Sequence, residues 1–263
     1  MANKAAIWLH WLFLFLLAVV FALEIVSLAF SLSFVDALDA ALVVIAAAST
    51  LAAMSRRLPV QNVLMAGFGA GVIGGGLWAL DTRTGLPFGS FIYTAGAGSP
   101  LFETMPLAMP LLWIFVVLNS RGVSRMILRP WRKTKSYGYR VVGLTAILAL
   151  VFDLAFEPFA FRVRHYWLWE PTNLPLTWEG VPALDFLAWG LITVLILLFI
   201  TPALINKRPR SRWTPDYHPL CMWLGGVLFF GAACAAHGIW LAVLADAVII
   251  AAVTTFTLRG AKW

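Results

Sequence analysis

Long apolar stretches, separated by short polar segments, run through the whole chain. A helix that crosses the hydrocarbon core of a bilayer needs about 20 mostly apolar residues. This criterion predicts membrane helices over residues 5–33, 36–54, 60–80, 104–120, 140–160, 183–205, 219–236 and 238–258. The divisions at Asp36 and at His237-Gly238 are the weakest, so the pattern allows seven spans as well as eight. It predicts an all-α fold, a polytopic transmembrane helical bundle that forms a single domain over residues 1–263.

The composition supports a membrane protein. The chain is 62% hydrophobic and 12% charged, whereas a soluble domain is typically about 45–50% apolar. The first apolar run, from Ala5 to Phe34, is longer than the core of a signal peptide, and no short cleavage pattern accompanies it. We therefore expect this run to be an uncleaved first span.

The basic residues predict the orientation. With the N-terminus in the cytoplasm, 16 of the 19 Lys and Arg residues fall on the cytoplasmic face, as the positive-inside rule requires. Arg83, Arg162 and Arg164 are the exceptions. The net charge of +7 therefore reflects orientation and contact with anionic lipid, and we expect no nucleic-acid partner. Both termini are predicted to be cytoplasmic, in the cytoplasmic membrane of a bacterium or archaeon.

The acidic residues lie mainly on the opposite face, where chemistry is therefore expected. They sit in the outer loops or at the outer ends of helices: Asp36, Asp39, Asp81, Glu103, Asp153, Glu157, Glu170, Glu179 and Asp185. Glu24 and Asp246 lie within predicted spans. An ionisable group there is a candidate functional group by default, although either residue can instead be neutral or hydrogen-bonded between helices.

Asp153 and Glu157 are the strongest catalytic candidates. Their i, i+4 spacing places both carboxyls on one face of a helix. Two carboxyls in a low-dielectric site cannot both ionise cheaply, so one is expected to stay protonated, as a general acid requires. The alternative is structural: the pair binds Arg162 or Arg164, or caps the helix end at Pro158.

The segment TGLPFGSFIYT, residues 84–94, connects two predicted helices and has no charged side chain. Irregular backbone at membrane depth is tolerated where it is buried in protein or lines a cavity. Gly85, Pro87 and Gly89 allow a tight path. The segment is therefore predicted to be a re-entrant or pocket-lining loop, with an ordinary interfacial turn as the alternative.

Several motifs of other chemistries are absent from the sequence. It contains no Asp-rich magnesium motif, P-loop or G-x-S-x-G motif, and no strand–turn–helix context for a nucleotide-binding G-x-G-x-x-G. Its four histidines form no ligand pattern. We therefore predict no metal and no cofactor.

A set of separated motifs between residues 65 and 200 resembles the carotenoid biosynthesis integral membrane proteins. This family includes carotenoid 1,2-hydratases such as the gamma-carotenoid and bisanhydrobacterioruberin hydratases. The motifs, in order, are Thr84-Gly85, Pro87-Phe88-Gly89, Tyr93, Pro106, Pro110, Trp113, Asp153, Glu157-Pro158, Trp167, Trp169, Gly180-Val181-Pro182, Asp185-Phe186 and Trp189. Two positions depart from the family pattern: Trp78 stands where a Glu is usual, with Asp81 three residues later, and Asp185 replaces an Asn.

The resemblance implies a cofactor-independent enzyme that hydrates a terminal double bond of a lipid-soluble carotenoid or other isoprenoid. This reaction needs a proton donor, a tolerated tertiary cation and a bound water. We predict Asp153 and Glu157 as the donor pair, and Asp81 and Asp185 as the groups that hold water or accept its proton. Cation–π contacts contribute about 0.5–2 kcal/mol each. The residues predicted to bind substrate are Trp78, Thr84, Pro87, Phe88, Tyr93, Trp167, Trp169, Trp178 and Trp189.

Two other functions fit the same residues. A cyclase or isomerase uses the same protonation step but ends in ring closure or proton loss. A transporter or proton channel also carries intramembrane acids, although the two halves of this chain show no inverted repeat.

Overall fold

The computed structural model describes residues 4–30, 35–98, 100–170, 176–205 and 215–263, without the side chains of 28–30 and 35–37. These residues form eight α-helices: α1 (Lys4–Phe30), α2 (Val35–Ser55), α3 (Val60–Thr84), α4 (Ala108–Ile127), α5 (Tyr137–Pro158), α6 (Ala183–Ile200), α7 (His218–Ala236) and α8 (Trp240–Ala261). Seven of the described helices are long and apolar enough to cross a membrane. The predicted all-α bundle is confirmed, and the helices indicate an integral membrane protein.

Helix α4 is the described helix that does not meet the criterion for a span. It lies at the centre of the bundle and packs against α2, α3, α5, α7 and α8. Because its neighbours are protein rather than lipid, its polar groups find partners inside. Asn119 Nδ2 donates to Thr50 Oγ1 of α2 at 2.9 Å, and Trp223 Nε1 of α7 donates to Ser120 Oγ at 3.1 Å. The fourth predicted segment, 104–120, is thus a helix that begins at Ala108 and extends to Ile127.

Helices α3 and α4 approach closely because α3 carries glycines on the shared face. A Cβ at Gly74 would overlap the ring of Trp113, and one at Gly75 would lie 2.8 Å from the Pro110 ring. Small residues let helix backbones approach in this way. The gap is filled by Trp113, which stacks on Trp189 of α6 with ring centroids 4.1 Å apart.

Two long loops, residues 85–107 and 159–182, meet at one end of the bundle, here called the loop end. They are joined through β1 (Phe91–Tyr93), which pairs antiparallel with β4 (Trp167–Trp169). Within each loop, β2 (Pro100–Leu101) pairs with β3 (Met105–Pro106), and β5 (Thr177–Trp178) pairs with β6 (Val181–Pro182). The segment 84–94 thus lies beside the second loop, with Phe88 and Phe91 buried.

The opposite end of the bundle, here called the basic end, carries short connections rich in Arg. Arg56 and Arg57, after α2, form ion pairs with Asp216 before α7. Arg129, after α4, donates to the carbonyl of Ala261 near the C-terminus at 3.2 Å. Because successive helices run in opposite directions, α1 begins and α8 ends at this same end.

Candidate functional site

Three carboxyl groups come together at the loop end. Asp153 and Glu157 lie one turn apart on α5, and Asp185 lies in the first turn of α6; all three are fully buried. Oxygen atoms of the three carboxyls lie within 4.8 Å of one another. Three of the four predicted catalytic acids therefore share one site, here called the carboxyl cluster.

Helix α5 ends at the cluster because of its proline. Pro158 has no N–H, so the carbonyl of Leu154 loses its helical donor. The indole Nε1 of Trp178 donates to this carbonyl at 3.1 Å. The chain then widens into a turn of π-helix, Phe159–Val163, which leads into the second loop.

Two tryptophans of β4 donate to the cluster. Successive side chains of a strand point to opposite faces, so Trp167 and Trp169 share a face while Leu168 between them is half exposed. The Nε1 atoms of Trp167 and Trp169 each donate to Glu157 Oε2 at 3.2 Å. Glu157 Oε1 has no donor among the described residues.

The arginine pairing that the structural alternative proposed for these acids is not found in the described part of the chain. Arg162 pairs with Glu179, and Arg164 pairs with Glu24 and Asp39. Asp153 and Asp185 instead lie against each other, a contact that is a hydrogen bond only when one of the two carries a proton. No other described group donates to these two carboxyls.

The carboxyl cluster is also compact enough to chelate a single cation. Carboxylate oxygens suit hard ions such as Mg²⁺. Against a metal stand the two indole N–H groups that already point at Glu157 Oε2. The absence of a metal stays a prediction, with Asp153, Glu157 and Asp185 as the residues that would hold one.

Asp81, the fourth predicted acid, anchors the first loop. Its Oδ1 accepts the backbone N–H of Phe88 at 2.8 Å, and Oδ2 has no described partner. Asp81 lies near enough to Asp185 for their charges to interact. It therefore borders the carboxyl cluster while its carboxylate holds the segment 84–94 in place.

An aromatic layer surrounds the cluster. Trp78, fully buried, lies 4.4 Å from Phe88, 5.7 Å from Trp167 and 5.9 Å from Trp189 between ring centroids. Its Nε1 donates to the Tyr93 hydroxyl. Burial raises the pKa of Tyr93, so this hydroxyl stays protonated.

The remaining predicted binding residues lie at chain turns. Thr84 is exposed at the end of α3, where its Oγ1 donates to the carbonyl of Leu80 at 2.9 Å and accepts the N–H of Leu86 at 3.2 Å. Pro87 is half-buried in the loop. Trp178, described above, completes the end of α5.

An apolar cavity of about 390 Å³ runs beside the cluster, between α1, α2, α4, α5 and α7. Trp167 lies on its wall; the other residues predicted to bind substrate are not among the described lining residues. Asp153, Glu157 and Asp185 are not among the described lining residues, whereas Trp167, which donates to Glu157, and Phe156, whose ring packs on Trp167, do line the cavity. The segment 84–94 does not line the cavity, whereas Gly96, Ala97 and Gly98, directly after it, do.

Two residues on the cavity wall were not predicted as site residues. Asp39 and Tyr166 provide the carboxyl and hydroxyl oxygens of the described wall. The sequence signal for Tyr166 was its position directly before Trp167. In a strand this position places Tyr166 on the face opposite to Trp167 and Trp169. For Asp39 the signal was an acid one turn inside a predicted helix.

The two acids within spans have different surroundings. Glu24 Oε2 lies 2.7 Å from Arg164 Nη2. Asp246, buried in α8, lies close to Gly231 of α7, where an added Cβ would be 3.1 Å from its Oδ2. Glu24 is therefore part of an ion-pair network at the cavity, whereas the described surroundings of Asp246 assign it no partner.

Comparison with known proteins identifies the family. Residues 36–253 match the profile of the family described as "Carotenoid biosynthesis protein". The bisanhydrobacterioruberin hydratase of Haloarcula japonica is 30% identical over 125 residues, which cover 47% of this chain and 40% of that hydratase. No solved structure matches the chain. Since the profile covers most of the sequence, the chain belongs to the carotenoid biosynthesis protein family.

Proposed function

We propose that this protein catalyses the acid-catalysed hydration of a terminal isoprenoid double bond in a linear or monocyclic carotenoid. The observation that carries the proposal is the group of three buried carboxyls, Asp153, Glu157 and Asp185, beside an apolar cavity. The family supports a carotenoid substrate. The similarity to a hydratase, which covers two fifths of that protein's length, supports hydration.

The carboxyl cluster is suited to supply a proton. Three carboxyls this close, with no basic side chain paired to them among the described residues, cannot all carry a charge in an apolar site. Because both indoles engage Glu157 Oε2, its other oxygen, Oε1, is the one that carries the transferable proton. Asp153 and Asp185 share a second proton and can return one to Glu157.

Protonation of the double bond forms a cation that the aromatic rings near the carboxyl cluster can stabilise. The proton adds to the less substituted carbon of the double bond and leaves a tertiary cation on the other carbon. Ring faces such as that of Trp167 attract this cation, by about 0.5–2 kcal/mol for a well-placed ring. A water then forms the C–O bond and loses one proton, which gives a tertiary alcohol and restores the proton balance.

Cyclisation or proton loss is the second candidate function. Both start from the same cation, and the aromatic layer around Trp78 favours a cation that is shielded from water. The products differ in mass, because hydration adds one water and cyclisation adds nothing.

Expression in a lycopene-accumulating host, followed by mass analysis of the pigments, tests the proposal. We expect a product heavier than the substrate by one water.

The Glu157→Gln and Asp153→Asn variants keep the shape of the side chain but remove the acid, so the rate should fall by roughly 10²–10⁴-fold. Glu103→Gln, at an exposed position of the same end, is the matched control and should convert at the wild-type rate. Full activity of both acid variants would contradict the assigned donor.

Chelation tests the prediction that no metal is needed. We expect dialysis of the purified protein against a chelator to leave conversion unchanged. If conversion is lost and a divalent cation restores it, the carboxyl cluster holds a metal and does not act as a proton donor.

A further inference from the structure

A second buried polar cluster lies at the loop end of the cavity. Arg164 Nη2 lies 2.7 Å from Glu24 Oε2 and 3.1 Å from Asp39 Oδ1, and Arg164 Nε lies 3.1 Å from Asp39 Oδ2. The hydroxyl of Tyr166 donates to Asp39 Oδ2 at 2.6 Å. The guanidinium thus joins an acid of α1 to an acid of α2, and both acids are buried.

Asp39 and Tyr166 of this second cluster lie on the cavity wall. The carboxyl cluster adjoins the same wall through Trp167, whose Nε1 donates to Glu157. Tyr166 and Trp167 are consecutive, with ring centroids 5.9 Å apart, and point to different clusters. A group held against Trp167 in the cavity would therefore lie next to the residue that contacts Glu157 and close to Tyr166.

The Tyr166 hydroxyl can accept a hydrogen bond from a ligand. Burial and the nearby Asp39 carboxylate raise the pKa of Tyr166 well above its usual range, so the phenol keeps its proton. That proton is donated to Asp39, and the phenol oxygen retains lone pairs as an acceptor. Among the described residues the cluster brings two acids to one arginine, and a carboxyl of such a group can take up a proton. Such a site fits water or an alcohol, both of which donate.

We infer that Tyr166 and Asp39 bind the water that adds to the substrate and then hold the hydroxyl group of the product. This inference rests on the proposed hydration. In the addition step, a lone pair of the bound water forms the C–O bond with the tertiary cation. The surplus proton of that water passes to Asp39, and exchange with solvent releases it. Protonation is thereby assigned to Glu157 and water capture to Tyr166 and Asp39, at the two neighbouring carbons of one double bond.

The two steps can be measured separately in D₂O. Wild-type protein in lipid vesicles is incubated with lycopene, and the hydrated product and the deuterium in recovered lycopene are both quantified. A cation that forms but fails to capture water loses a proton and returns to the alkene, which leaves deuterium in the substrate. Deuterium in recovered lycopene therefore reports protonation alone.

For Tyr166→Phe we expect hydration to fall by roughly 10²-fold, the scale of a misplaced reactant, while deuterium incorporation persists or rises. Asp39→Asn, which keeps a partner for the hydroxyl but cannot take up the proton, should behave alike. Glu157→Gln should instead lose both signals. Tyr139→Phe, exposed near the basic end, is the control and should match the wild type in both.

Each outcome decides the matter. Wild-type hydration by Tyr166→Phe would overturn the inference and leave the proposed function intact. Loss of both signals in Tyr166→Phe, in protein that remains monodisperse in detergent, would assign the residue to structure and also overturn it. A wild-type protein that gives neither hydrated product nor deuterium would refute the proposed function and this inference with it.

Discussion

At the scale of single residues, Trp167 and Trp169 give the clearest division of roles. Both indoles donate to the same oxygen of Glu157, but Trp167 also lies on the cavity wall. Trp167 therefore contacts both Glu157 and the cavity, whereas Trp169 contacts Glu157 without lining the cavity.

This difference predicts distinct kinetics for Trp169→Phe and Trp167→Phe. Glu157 becomes charged as it gives up its proton, and a hydrogen bond to a charged group contributes about 1.5–3 kcal/mol, so loss of one N–H donor should slow turnover by roughly 10-fold or more. Trp169→Phe should lower kcat with KM unchanged, whereas Trp167→Phe should change KM as well. Initial rates over a range of substrate concentrations in vesicles measure both constants. Unchanged kcat in Trp169→Phe would show that the hydrogen bond to Glu157 plays no part in turnover.

At the scale of elements, the contact between α3 and α4 holds the aromatic layer in place. Gly74 leaves room for the Trp113 ring, and Trp113 stacks on Trp189 of α6. The small size of Gly74 thus allows Trp113 of α4 to pack between α3 and α6.

We expect Gly74→Ala to destabilise the protein by about 1–3 kcal/mol, the usual cost of overpacking. Gly76 is the matched control: it lies in the same helix, and an added Cβ there meets no atom within 4 Å. Gly76→Ala should be neutral or stabilising by up to about 1 kcal/mol, because Ala favours helix. Thermal unfolding in detergent measures both variants. Equal midpoints for the two variants would contradict the close packing of α3 on α4.

At the scale of the whole molecule, the proposed catalytic groups lie at the loop end, and the Arg-rich connections lie at the basic end. The carboxyl cluster, the Arg164 network and the three strand pairs lie at the loop end, while α1 begins and α8 ends at the basic end. By the positive-inside rule, the basic end is expected to face the cytoplasm.

Reporter fusions test this orientation. Fusions at positions 95 and 172 should behave as non-cytoplasmic, and fusions at 130 and 210 as cytoplasmic, because α4 lies between 95 and 130 and α6 lies between 172 and 210. Alkaline phosphatase activity and GFP fluorescence report the two sides. The reverse result at both pairs would place the carboxyl cluster on the cytoplasmic side of the membrane.

Most of the fold was predictable, because a bilayer imposes a length and an apolar surface on every helix that contacts lipid. The predicted segments 60–80 and 219–236 correspond closely to α3 and α7. The prediction was weakest for α4. Its surroundings are other helices, so the rule that lipid imposes on composition does not apply to it.

By itself, the sequence determined the helices, the acids at one end and the i, i+4 pair Asp153 and Glu157, since these depend on local spacing and hydrophobicity. Tertiary structure decided the partners. Asp185 joins Asp153 and Glu157 because α6 packs against α5. Arg164 of the second loop binds Glu24 of α1 and Asp39 of α2 rather than the acids that are nearer in the chain. Residues 24, 39 and 164 are far apart in the chain, and no periodic pattern encodes a contact between them. Such contacts form where the packing of helices leaves buried charges that must be paired.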